Sequence, residues 1–129
     1  MPQAIDLALK NAAAESKTFS LATPAGPTGS AVWYLREGAN PSIFPKIECS
    51  SATAAGGAGR KVKLSLNLAA PTVNASGATI ASAKMSFNID VTVPDLVPDA
   101  QRDDAIAYVK DLVASALMAS VFKTGFAPT

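Results

Sequence analysis

Apolar and polar residues alternate along the chain as far as Pro94, and a helical period takes over beyond it. "AIDLALK" (residues 4–10) sets Ile5, Leu7 and Leu9 against Asp6, Ala8 and Lys10, the pattern of a half-buried strand. "NAAAES" can turn the chain, and "KTFSLAT" alternates again through Phe19 and Leu21, so the two runs predict a hairpin. The Pro/Gly cluster "PAGPTG" breaks the ladder. "SAVWYLRE" reads as a third strand, "GANP" as a tight turn, and "IFPKIECSS" as a fourth strand whose pairing Pro45 restricts. "ATAAGGAG" is a flexible connector, "RKVKLSLNL" a fifth strand, "AAPTVNASGAT" a small-residue loop and "IASAKMSFNIDVTV" a long sixth strand.

After "PDLVPD", Ile106, Val109, Val113, Ala116 and Leu117 form the stripe of an amphipathic helix. Asp99 is its candidate N-cap, with Asp103 and Asp104 in the early turns where the helix dipole favours negative charge. The helix can run to Phe122, with a break near Ser115 or Ser120, and Gly125 is a natural stop. Strands segregated from helix predict an α+β fold: an N-terminal β-hairpin, an antiparallel sheet, and C-terminal helix or helices packed on one sheet face. The 129 residues form a single domain in this reading.

Side chains alternate between sheet faces, so the last two strands each split cleanly. Val62, Leu64, Leu66 and Leu68 oppose Lys61, Lys63, Ser65 and Asn67; Met85, Phe87, Ile89, Val91 and Val93 oppose Lys84, Ser86, Asn88, Asp90 and Thr92. The apolar rows suit a helix cover. The polar rows suit water, as one face of an antiparallel sheet commonly does, or the phosphates, sugars and base edges of a nucleic acid.

Composition narrows the options. A net charge of +1 calls for no nucleic acid globally, so any such partner must be read from local clustering. Only 16% of residues are charged against 49% hydrophobic, which suits a chain that hides surface against copies of itself. The lone Cys49 forms no intrachain disulfide, and its parity with Ile47 places it on the core side. The N-terminus lacks the basic region of a secretory signal, and no run has the length of a membrane span, so a cytoplasmic, soluble protein is expected.

Catalysis finds no footing. The chain has no histidine, the commonest general base and metal ligand. Asp103 and Asp104 are explained by the helix start, and Asp90 by pairing with a lysine. "GGAG" lacks the Lys-Ser/Thr of a phosphate loop and leads into a strand. Trp33 and Phe87 read as core aromatics. No enzyme activity, cofactor or metal is expected.

Several stretches, in order, resemble the coat protein of the single-stranded RNA bacteriophages, the leviviruses. "GSAVWYLREG" is similar to the family's Gly-x-x-x-Trp strand, "KIECSS" to its Lys-Val-Thr-Cys-Ser strand, and "GRKVKLSLNLAAPT" to its Arg-Lys-Tyr-x-x-Lys-Val strand and loop. "AKMSFNIDVTV" resembles its last long strand and "RDDAIAYVKDLVASALMAS" its helical tail, so the likeness runs over residues 4–122. The resemblance implies an intertwined homodimer with a continuous sheet, crossed over by helices. It also implies an icosahedral shell assembled in the cytoplasm of a bacterial host, with the sheet facing inward. Residues 70–79 would be the loop clustered at the shell's fivefold and quasi-sixfold axes, here without cysteines to link subunits.

The implied partners are therefore the chain itself and a single-stranded RNA genome, with no membrane. By the same resemblance, Lys46, Glu48, Ser50, Lys61, Lys63, Ser65, Lys84, Ser86 and Asn88 are the RNA-binding set. A genomic hairpin bound there would repress replicase translation. Glu48 departs from the family's Thr and would repel phosphate; Lys63 and Ser65 exchange roles; Lys84 replaces a base-stacking tyrosine. The alternative is a non-viral β-rich interaction module or fibre subunit that uses its sheet edge for strand addition.

Overall fold

A computed structural model describes residues 3–26, 29–38 and 40–128, with the backbone alone at 81 and 82. Pro27 and Thr28 of the expected breaker, and Ala39 of the expected "GANP" turn, lie outside the described residues. The order is β1 (Leu7–Lys10), β2 (Ser16–Thr23), β3 (Ala31–Tyr34), β4 (Lys46–Thr53), β5 (Gly59–Val73), β6 (Thr79–Pro94), α1 (Asp99–Ala114) and α2 (Ala116–Thr124). The strands form one six-stranded antiparallel sheet in sequence order, so every neighbour in the sheet is a neighbour in the chain. Two compact units result, residues 1–93 and 94–129.

The core of the first unit lies on the β2–β4 side. Phe19, Ala31, Trp33 and Ile47 are buried, and Leu7, Leu21, Leu35, Cys49 and Leu66 pack against them. Register explains the cluster: Leu21 faces Trp33, Trp33 faces Ile47, and Ile47 faces Leu66, so one apolar residue per strand lands on the same face. β1 is shorter than its alternation suggests. Ile5 is exposed rather than core-facing, and the segment before the strand is held by polar contacts instead. Trp33 Nε1 donates to the Ile5 carbonyl (2.7 Å), and the Leu21 amide donates to Asp6 Oδ1 (2.8 Å).

Turn chemistry closes the hairpins. Asn11 Oδ1 accepts the amides of Ala13 and Glu15, and Asn74 Oδ1 accepts those of Ser76 and Ala78. Each turn has a residue of positive φ at the same place: Gly77 in one (83°), and Ala14 in the other (60°), where a Cβ is strained. Gly38 is required for a different reason. Its φ is 137°, and a Cβ there would meet Ile43 Cδ1 at 2.7 Å.

The structure corrects several expectations. Residues 43–45 are not strand: Pro41–Ile43 form a 3-10 turn capped by Asn40, whose side chain also donates to the Thr79 carbonyl (2.6 Å). The small-residue loop shrinks to residues 74–78, because 69–73 continue β5 and Thr79 begins β6. Pro71 lies in the part of β5 beyond Asn67, where the pairing with β4 has ended at Lys46, so its missing amide costs no bond of that ladder. Asp99 is the first residue inside α1, and Pro98 holds the N-cap position without a side-chain bond.

In the second unit the helix breaks at Ser115. Its Oγ donates to the Leu112 carbonyl (2.7 Å) and accepts the Met118 amide (3.3 Å), ending α1 and capping α2. Gly125, left-handed at φ 77°, ends α2 as expected. Arg102 ties the linker to α1 through the Pro94 and Asp95 carbonyls. No single described helix is long and apolar enough to cross a membrane.

Candidate functional site

The polar face of the sheet gathers the residues singled out by sequence. β4–β5 register sets Glu48 opposite Ser65 and Ser50 opposite Lys63, with Lys46 opposite Asn67 and Lys61 opposite Ala52. Because opposed residues share a face, Lys46, Glu48, Ser50, Lys61, Lys63 and Ser65 lie together. Ser86 Oγ joins the same face from β6 by its hydrogen bond with Asn67 Oδ1 (2.6 Å).

Two shallow depressions mark this face. One, of about 480 Å³, is lined by Ser30, Glu48, Ser50, Lys63, Ser65, Asn88 and Asp90. The other, of about 290 Å³, is lined by Tyr34, Phe44, Lys46, Asn67 and Lys84 among others. Every candidate therefore lines a depression, bonds to a residue that does, or, for Lys61, lies in register beside them.

Electrostatics divide the lysines. Lys46 Nζ lies 2.6 Å from Glu48 Oε1. That hydrogen bond, aided by the carboxylate's charge, raises the Lys46 pKa above its ordinary value against an opposing effect of burial. The carboxylate expected to repel phosphate is thus neutralised by its own neighbour, and Lys46 is engaged in turn. Among the described residues Lys61, Lys63 and Lys84 form no ion pair. Asp90 has none either, contrary to the expected lysine partner within the chain.

Ser30, Tyr34 and Phe44 line the depressions but are absent from the sequence-derived set. Tyr34 had a legible signal, since it alternates with Trp33 and so must leave the core face. Phe44 had none, because the 3-10 turn that positions it reads as strand. No described group of His, Cys, Asp and Glu could hold a metal ion.

The opposite face of β5 and β6 is apolar and open. Leu64, Leu68, Met85, Ile89 and Val91 retain 38–46% exposure, whereas Trp33 retains 8%. Neither helix contains a buried residue, and Ile106, Val109, Leu112, Val113 and Leu117 of their apolar stripe are exposed.

No family model matches the sequence, and no curated protein does. Solved structures match throughout. A chain of the virus-like particle of Beihai levi-like virus 21 superposes with a TM-score of 0.86 at 12% identity, covering 99% of both chains. One from the virus-like particle of bacteriophage ESE058 gives 0.83 at 15%, covering 99% of this chain and 100% of that one. The bacteriophage GA protein capsid gives 0.68 at 18%, covering 95% of each. The chain has the fold of these phage coat proteins.

Proposed function

We propose that this chain, sharing the coat-protein fold of levi-like phages, is a structural capsid subunit and not an enzyme. It pairs with a second copy, dimers close into an icosahedral shell in a bacterial cytoplasm, and the polar sheet face lines the interior against a single-stranded RNA genome. The observation that carries this reading is the near-complete likeness to chains of virus-like particles. The open apolar surface on β5, β6 and both helices supports it, because such rows call for cover by another molecule.

The mechanism combines two effects. Apolar burial between copies holds the protein shell, at about 25 cal/mol per Å² removed from water. On the polar face Lys61, Lys63 and Lys84 neutralise phosphates, releasing counterions and making RNA uptake salt-dependent. Ser50, Ser65, Ser86 and Asn88 supply hydrogen bonds to sugar, phosphate or base edges. Tyr34 and Phe44, beside Lys84, offer aromatic surface for an unstacked base where Lys84 itself cannot stack. Repression of replicase translation through a genomic hairpin would use the same face, with Glu48 masked by Lys46.

The test is the double reversal Lys61→Glu with Lys63→Glu. Both side chains point away from the core, so dimers should persist while packaged RNA falls. The salt dependence of RNA binding should flatten by about 0.7 in log–log slope for each phosphate no longer neutralised. Undiminished RNA in the variant would overturn the role of this face, and dissociated dimers would overturn the face assignment.

A further inference from the structure

The larger depression on the polar face, about 480 Å³, holds a carboxylate that cannot serve a phosphate. Asp90 of β6 lines it together with Lys63, Asn88 and the hydroxyls of Ser30, Ser50 and Ser65. The other carboxylate of this depression, Glu48, is held by Lys46 at 2.6 Å. Asp90 is exposed and has no ion-pair partner among the described residues, although Lys63 stands in the same hollow. Two opposite charges that border one hollow without closing across it can act together on a ligand set between them. A bare carboxylate on a phosphate-binding face weakens binding of every RNA alike. Accepting hydrogen bonds from a base turns that loss into selectivity.

We infer that this depression takes a guanine base of single-stranded RNA, with Asp90 accepting from its Watson–Crick edge and Lys63 donating to its O6 and N7. The inference rests on the RNA-facing coat reading and deepens it by naming the base and the residue, Asp90, that selects it.

Polarity chooses among the bases. Serine hydroxyls and the Asn88 amide both donate and accept, so they fit any base, whereas an ionised Asp90 only accepts and Lys63 only donates. The ligand must therefore show donors on one side and acceptors on another. Guanine sets its ring N1–H beside its N2 amino group, matching the two oxygens of one carboxylate, and it carries O6 and N7 as adjacent acceptors. Adenine and cytosine place a single amino group beside a ring nitrogen that accepts, and uracil flanks its N–H with two carbonyls. Each of these turns a lone pair toward Asp90 and leaves the carboxylate poorly paired. Lys63 has three donors and can meet a phosphate at the same time. A metal ion suits the hollow less well, since Lys63 borders it and no described group of His, Cys, Asp and Glu could hold one.

Filter binding at fixed salt tests this on the unassembled full-length chain. The probes are short oligouridylates, either plain or with one central guanosine, inosine, adenosine or cytidine. Guanosine should bind about tenfold more tightly than uridine at that position, the discrimination of one bidentate pair. Inosine lacks the 2-amino group and should lose about threefold of that gain. EDTA should change neither result. Asp90→Asn is nearly isosteric at an exposed position. It should bring guanosine to within about twofold of uridine, while binding of plain oligouridylate does not fall. An equal rise for all oligomers would make Asp90 a repelling charge only and overturn the inference. A guanosine preference that survives Asp90→Asn, or vanishes with EDTA, would overturn it too, as would preference for adenosine or cytidine. The base series leaves the protein unaltered, so it decides even if the variant misfolds. Equal binding of every oligomer by the parent chain overturns the guanine site and leaves the RNA-facing role standing. No binding of any oligomer at any salt concentration overturns both.

Discussion

The two sides of the sheet solve the same problem differently. On β2–β4, Phe19, Ala31, Trp33 and Ile47 are buried by their own chain. On β5–β6, Leu64, Leu68, Met85, Ile89 and Val91 are as apolar and as regularly placed, yet remain open. Alternation alone produces both rows, so alternation cannot say which row a single chain covers. The first side supports the fold of the monomer. The second is left uncovered by the chain itself, and under the proposed capsid role a neighbouring copy would cover it.

The contrast breaks most sharply at Trp33. Trp33→Ala should destabilise the chain by about 3–5 kcal/mol, through cavity formation and loss of the bond to the Ile5 carbonyl. Circular dichroism in urea checks this, since the variant has no tryptophan left for fluorescence. Val91→Asp, on the open row, should act on association instead. An unpaired charge buried between copies should weaken dimers by on the order of a hundredfold, with the secondary structure kept. Sedimentation and circular dichroism together decide. If Val91→Asp unfolds the chain as Trp33→Ala does, the two sides do not differ in kind.

Smaller changes sharpen the contrast. Ala14→Gly relieves the positive φ in the first hairpin and should add about 0.5–1 kcal/mol of stability while leaving dimer affinity unchanged. Glu48→Gln touches neither apolar row. It frees Lys46 and removes a negative charge from the polar face, so RNA affinity should rise about threefold with stability barely altered. Filter binding across salt would show it, and unchanged affinity would mean that Lys46 does not meet RNA.

Local pattern was most legible where period and face agree. Residues 61–68 and 83–93 alternate without interruption, and the structure keeps both runs as strand. A break was legible only as one of two places, Ser115 or Ser120, each a polar residue that competes for backbone bonds within an apolar run, and the structure puts it at Ser115. What failed were positions whose state depends on a neighbour. "AAPTV" is strand because β6 pairs with it and β4 no longer does, a fact that small residues and a proline conceal. "IFP" is a turn because Asn40 bonds both to Ser42 and to the start of β6, and no periodicity announces that. At the site, parity assembled the polar face correctly. The Lys46–Glu48 pair was harder to read, since these neighbours on one face have two equally good uses, with each other or with a ligand.

The most direct measurement is negative-stain electron microscopy of the recombinant chain, with an absorbance spectrum of the same size-exclusion peak. A capsid subunit should give closed particles of uniform size whose spectrum is dominated by nucleic acid that resists nuclease. A small protein-only species that takes up no RNA at any salt concentration would contradict that role and favour a β-rich interaction module that uses the β6 edge for another partner.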